Sequence, residues 1–310
     1  MTANSFTVER EKEIRMQKFQ VEGVIPPMIT PFDEQGNIYE KGIRRLIDFL
    51  AEKVQALYPV GTYGSGPAMD LAERQRAAEI IVDQVRGRIP VIMHVGCVDT
   101  KNTLTLARHA EKIGANAVAS IAPFYYEHNE KAIEYHFRHL MDSVSIPVFA
   151  YNNPKLSRNS ISPGLLARLA EAGLAGIKDS SFDILVYYAY LRMVKKPDFI
   201  FIIGTEALAL PALMVGGSAC VAGLANALPE LVVDLFKACK RKDQKAAASL
   251  QQKTLVVREI MHLAPIAISG IHAILQMRGI DAGLPRPPIL PLTPEVFAKM
   301  KARLEEEGML

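Results

Sequence analysis

SPGLLARLAEAGLAGIKDSS, residues 162–181, contains one whole helix-to-strand unit. Ser162 suits a helix N-cap, Pro163 suits the first helical position, where no N–H is required, and Gly173 closes the helix. The run Leu174, Ala175, Gly176, Ile177 then reads as a buried strand, and Lys178 stands at its end. Two readings of that lysine compete. A lysine at a strand end normally snorkels its ammonium into water. One held in apolar surroundings loses its charge and becomes a nucleophile toward a carbonyl carbon. Free lysine is neutral in roughly one molecule in 2,500 at pH 7, and a depression of about three pH units raises that to about a quarter.

The same unit recurs along the chain. Strand candidates are GVIPP (23–27), QALYPVG (55–61), IPVIMHVG (89–96), NAVASIAP (116–123), IPVFAYN (146–152), LAGIKDS (174–180), FIFIIG (199–204) and SACVAG (218–223). The first, interrupted by Pro26 and Pro27, is the weakest, because proline gives a sheet no donor. Helices are legible between them: Asp70 with Glu73 forms a capping box ahead of a helix ending at Gly87, and 100–114 and 206–216 read similarly. Eight such units predict an α/β fold, a (β/α)8 TIM barrel over residues 22–240, with an open doubly wound sheet as the competitor. After about residue 240 the strands stop. Helices are expected over 242–264, 266–279 and 293–307, a C-terminal helical extension (241–310) interrupted by the proline-rich GLPRPPILPLT. Residues 1–21 form a separate polar arm in this reading.

Composition narrows the function classes. Apolar residues make up 49% of the 310, enough for a large core, and the net charge of +3 with no block of like charges gives no nucleic-acid footprint. Cys97, Cys220 and Cys239 are odd in number and widely spaced, so neither a disulfide framework nor a zinc motif is expected, and a reducing cytoplasm is the expected compartment. The first twenty residues lack the apolar core of a signal peptide, and the uncharged stretch 207–228 is broken by Pro211, Gly216, Gly217 and Gly223, so no membrane association is expected.

In a barrel, side chains at the strand ends face one another and make the active site. The second candidate strand ends in GTYGSG (61–66), the fourth in APFYY (122–126), the fifth in YNNP (151–154) and the sixth in Lys178. Hydroxyls and one amine converge there. Of the seven histidines only His94 and, less closely, His128 sit near a strand end, which argues against a Ser-His-Asp arrangement. His136 and His139 share a helix turn without a further ligand, and GTYGSG fits neither the dinucleotide fingerprint nor the P-loop, so neither metal nor nucleotide cofactor is expected. A lysine among tyrosines suits imine formation with a keto acid, a tyrosine moving the proton.

These motifs, in this order, resemble the dihydrodipicolinate synthase and N-acetylneuraminate lyase superfamily of pyruvate-dependent class I aldolases. The resemblance runs from GVIPPMITPF (23–32) through GTYGSG, APFYY, YNNP and GIKDS to RGIDAGLPRPP (278–288). It implies that Lys178 is the Schiff-base lysine and Tyr151 the proton shuttle. It implies further that Thr62 links Tyr151 to Tyr125, the latter lent by a neighbouring subunit of a homotetramer, or at least a dimer. The backbone N–H groups of Thr62 and Tyr63 would hold the pyruvate carboxylate. Tyr63, Leu156, Glu206 and Val221 are the implied substrate-binding positions.

Departures from the pattern bear on the substrate. Tyr63 stands where many members have a second threonine and Ser65 where a glutamate is common. In YNNPKLSRNS, Leu156 takes the place of the arginine with which dihydrodipicolinate synthases grip a distal carboxylate. Arg158, two positions on, is a candidate substitute, and Ala207 replaces a second acidic residue of sialic-acid lyases. The expected substrates are therefore pyruvate and an aldehyde, joined as or released from a 2-keto-3-deoxy sugar acid or a sialic-acid-like keto acid. Condensation of pyruvate with aspartate semialdehyde and keto-acid binding without turnover are the alternatives. A phosphate site built on the turns between Gly216 and Gly223 and the helix beginning after Asn226 is a third.

Overall fold

The computed structural model describes residues 19–310, so the arm expected over 1–21 lies outside the described residues save for its last three. Seven parallel strands, β1 (Gly23–Ile25), β2 (Ile92–His94), β3 (Ala117–Ile121), β4 (Val148–Asn152), β5 (Gly176–Asp179), β6 (Ile200–Ile203) and β7 (Ala219–Val221), pair in the order β1-β7-β6-β5-β4-β3-β2. From β2 to β7 each strand lies beside its successor in sequence, so the order contains no switch point of the doubly wound kind. This is a curled parallel sheet with helices packed outside it, consistent with an α/β barrel.

QALYPVG, expected as the second strand, forms no ladder. Leu57 makes a single parallel bridge to Val91. The segment nonetheless bonds to both sheet edges: Gln55 N–H donates to the Val24 carbonyl and Tyr58 N–H to that of Pro26 (3.1 Å each), and Leu57 N–H donates to Pro90 (2.9 Å). The Leu57 carbonyl in turn accepts from Ile92 N–H (2.9 Å) and that of Pro59 from His94 N–H (3.2 Å). The ladder fails because Pro59 has no N–H to give and Val60 turns to φ +58°, out of the extended region.

Alternation along the strands sorts side chains into two cores. Val24, Met93, Val118, Ala150, Ile177 and Ile203 face the helices, whereas Ile25, Ile92, Ala117, Ala119, Phe149 and Ile202 fill the inside of the curl. Phe19 joins the inner set, its ring edge-on to Phe149 at 5.8 Å. Gly176 belongs where Phe149 needs room, since a Cβ there would come within 2.5 Å of both the Phe149 ring and the Ile200 carbonyl.

The expected helix ends are present. Asp70 and Glu73 form a reciprocal capping box on Leu71–Val85, and Ser162 Oγ accepts from Leu165 N–H (3.1 Å) at the start of Pro163–Glu171. The span 206–216 is divided between a 3-10 turn (Glu206–Leu208) and a short helix (Ala209–Met214). Beyond Lys240 come Gln244–Met261, Ala267–Met277 and Pro294–Glu306, the last capped by Thr293. No helix among the described residues is long and apolar enough to cross a membrane.

Candidate active site

Ile177 points outward on β5, so its neighbour Lys178 points into the curl, and its side chain is only 4% exposed. The register places it between Tyr151 on β4 and Ile202 on β6. Its Nζ lies 3.6 Å from the ring centroid of Tyr151 and 4.5 Å from that of Tyr58. The surface reading of the lysine is thereby excluded. Burial holds its pKa below the usual 10.5, with Tyr151 pulling the other way and no carboxylate among the opposing causes. A neutral amine adds to a carbonyl carbon and an ammonium does not, so borohydride trapping of a keto acid on Lys178 should rise with pH to a half-maximum below 10.5. A midpoint at or above the ordinary lysine value would contradict this.

Tyr151 is buried, and its hydroxyl receives a hydrogen bond from Asn153 Nδ2 (2.8 Å) and stands 3.5 Å from Thr62 Oγ1. Burial raises its pKa, but the Lys178 charge and the bonds from Thr62 and Asn153 outweigh burial and bring it below the usual value. Tyr58 crosses Tyr151 edge-on at 6.1 Å, as does His94 at 6.0 Å. His94 is kept neutral first by burial and then by the charges of Arg74 and Lys178, and its Nε2 accepts from Ile121 N–H (3.3 Å). Arg74 reaches in from the helix Leu71–Val85 and donates to the carbonyls of His94 (3.0 Å) and Gly96 (2.9 Å), fixing the end of β2.

On the outer face the next residues along the same strands lock the pair in register. Asn152 Nδ2 donates to Asp179 Oδ1 (2.7 Å), and Asn152 Oδ1 accepts from Ile161 N–H (3.0 Å). Asn152→Ala strips a buried carboxylate of a donor and leaves that N–H without its acceptor, so stability should fall by about 3 kcal/mol, read as a lower urea midpoint. An unchanged midpoint would show that the bond is not needed.

The remaining expected residues divide. Backbone N–H groups of Thr62 and Tyr63 donate to no described residue, which leaves both available to an anion. Tyr63 packs its hydroxyl against the Gly223 backbone, its pKa raised by burial and by Glu206. Glu206 is buried with both carboxylate oxygens engaged, one accepting from Gly223 N–H (2.9 Å) and the other 3.3 Å from Arg258 Nε. Substrate hydroxyls would have to compete for it. Val221 lies in the inner core of the curl. Tyr125 is not brought to Tyr151: it is 72% exposed, at φ +80°, its ring edge-on to Tyr126. Arg158 pairs with Glu127 (2.8 Å), both exposed, so it does not replace a clamp at Leu156. His136 bonds to Thr100 (3.0 Å) and Ser120 (3.3 Å) as a core histidine. Asn226, on the turn proposed for phosphate, spends its amide on Ile29 N–H and the carbonyls of Pro27 and Gly223.

Sequence reading missed Tyr58, Arg74 and Asn153. Tyr58 was legible as an inward position of QALYPVG and Asn153 as part of YNNP; Arg74 carried no signal, being one of several charges on an amphipathic helix.

A family model, the dihydrodipicolinate synthetase family, matches residues 20–307. The 4-hydroxy-tetrahydrodipicolinate synthase of Methanopyrus kandleri is 33% identical over 94% of this chain and 98% of its own. A protein of Escherichia coli named "Probable 2-dehydro-3-deoxy-D-pentonate aldolase YjhH" is 32% identical over 95% and 99%. The crystal structure of YagE, a prophage protein of the dihydrodipicolinic acid synthase family from E. coli in complex with pyruvate, superimposes with a TM-score of 0.89 at 28% identity, covering 93% of this chain and 99% of that one.

Proposed function

Because the chain belongs to the dihydrodipicolinate synthetase family, and is thereby a carbon–carbon lyase of the class I aldolase type, we propose that its reaction runs through an imine between Lys178 and the keto carbon of pyruvate. The observation that carries this reading is the buried Lys178 amine, held against Tyr151 with its pKa depressed by burial. The neutral amine adds to C2, Tyr151 delivers a proton to the carbinolamine oxygen, and water leaves to give the imine. Loss of a proton from C3 gives the enamine. Its C3 adds to the aldehyde carbon while the aldehyde oxygen takes a proton, and water then cleaves the imine to release a 4-hydroxy-2-keto acid and the free amine. Cleavage is the same sequence reversed.

Thr62 passes protons to and from Tyr151, and the N–H groups of Thr62 and Tyr63 hold the pyruvate carboxylate. The pyruvate bound in the YagE structure is in keeping with this assignment. Tyr125, exposed and in a backbone conformation that costs a non-glycine residue energy, serves the neighbouring subunit of a homo-oligomer, by this reading a tetramer. The scaffold is a (β/α)8 barrel whose eighth stave is the 55–59 segment, and the three buried free cysteines suit a reducing cytoplasm.

Exchange of the pyruvate methyl protons in heavy water tests the proposal without knowledge of the aldehyde. Wild-type protein should exchange them through the enamine and Lys178→Ala should not. Wild-type protein that leaves the methyl group unexchanged would overturn it.

A further inference from the structure

We propose that the aldehyde partner carries an apolar tail, alkyl or aryl, seated in a cavity walled by Phe124, Leu156, Ile268 and Ile289. The inference rests on the pyruvate-imine reading above and goes on to name the substrate class of the same site. A cavity of about 340 Å³ opens beside the reacting pair. Thr62 and His94 belong to both: they line the cavity, one 3.5 Å from the Tyr151 hydroxyl and the other edge-on to its ring. The rest of the wall comes from Pro67, Ala68 and Ile121 with the four side chains named above, and Ser65 is its one other polar member.

The chemistry of this lining decides the tail. No charged side chain of this chain contributes to it, and the Tyr125 that the neighbouring subunit lends at Thr62 by the reading above adds an aromatic face and a single hydroxyl. A distal carboxylate would enter without a cation, since Leu156 stands at the clamp position and Arg158 is turned outward onto Glu127. A polyol tail would lose water on every hydroxyl and find few partners beyond the Thr62 and Ser65 hydroxyls, since Glu206 already accepts from Gly223 N–H and is ion-paired with Arg258, and His94 Nε2 accepts from Ile121 N–H. An alkyl or aryl group loses nothing there and gains burial.

The wall is also held in place rather than loosely draped. Asn159 Nδ2 lies 2.8 Å from the carbonyls of both Pro123 and Tyr126, tying the turn that carries Leu156 to the loop that carries Phe124. Ser157 Oγ bonds the Asn153 carbonyl (3.0 Å) and that of Asn159 (2.8 Å). Across the cavity, Ser269 Oγ donates to the Leu290 carbonyl (2.7 Å), joining the helix of Ile268 to the connector of Ile289, and Arg286 anchors that connector to Glu73 (2.8 Å). Two of the four wall residues thus come from the chain beyond Lys240, which makes the C-terminal helices part of the site.

The test is an acceptor series with pyruvate: acetaldehyde, propanal, butanal and benzaldehyde against glyceraldehyde and erythrose, on wild-type protein and Leu156→Arg. In the wild type, kcat/KM should rise about fourfold per added methylene, and benzaldehyde should exceed glyceraldehyde by at least about tenfold. Leu156→Arg should lower that last ratio by at least about tenfold while pyruvate and borohydride still label Lys178. A flat series, or a preference for glyceraldehyde or erythrose by an enzyme that labels on Lys178, overturns the inference and leaves the imine reading standing. Absence of labelling in the wild type overturns both.

Discussion

Lys178→Ala should lose pyruvate-dependent turnover by a factor on the order of 10⁴ or more, because every bond-making step proposed needs the imine on its nitrogen. The loss is chemical and not a consequence of unfolding. Lys178 is buried without a carboxylate partner, its Nζ resting on the rings of Tyr58 and Tyr151. A charge so placed costs more in desolvation than the rings return. Lys178→Met, which keeps the volume and removes the charge, should therefore melt no lower than the wild type while showing the same loss of turnover. A catalytically competent Lys178→Met would end the imine account. A folded but much less stable one would instead show that the amine holds the curl together.

The second large effect falls on Tyr151. Tyr151→Phe keeps the ring against Lys178 and the edge-on contacts with Tyr58 and His94 but removes the hydroxyl that faces Thr62 and Asn153. Loss of general acid–base help is worth at least ~100-fold in kcat. Imine formation with pyruvate should survive at a reduced rate, so borohydride labelling still reaches Lys178. A Tyr151→Phe variant with kcat within a few-fold of wild type would move the proton role to another group or to water.

Much of this is legible in the sequence. The unit Ser162 to Ser181 carried its own punctuation, a cap, a first-turn proline and a closing glycine, and the structure has a helix and a strand in those places. Lys178 and Tyr151 stood at the ends of apolar runs, and alternation alone fixes which way they point. Three things were hidden. QALYPVG has the composition of a strand, but a proline with no N–H followed by a residue at positive φ leaves scattered hydrogen bonds to both edges and no ladder, a balance that depends on partners far away in sequence. Leu156 was visible as a missing arginine, yet what it faces was not. Ile268 and Ile289 lie more than a hundred residues from it, and nothing local in AISGIH or PPILP points to a cavity. Glu206 was expected to meet substrate, and its occupation by Gly223 N–H and Arg258 is likewise a fact of tertiary packing.

The measurement closest to the central claim is the mass of the intact protein after incubation with pyruvate and borohydride, followed by peptide mapping. The account predicts one reduced pyruvate adduct per chain, found on the peptide bearing Lys178. A protein left unlabelled under conditions that fully label a known class I aldolase, or an adduct mapped to any other lysine, would contradict it.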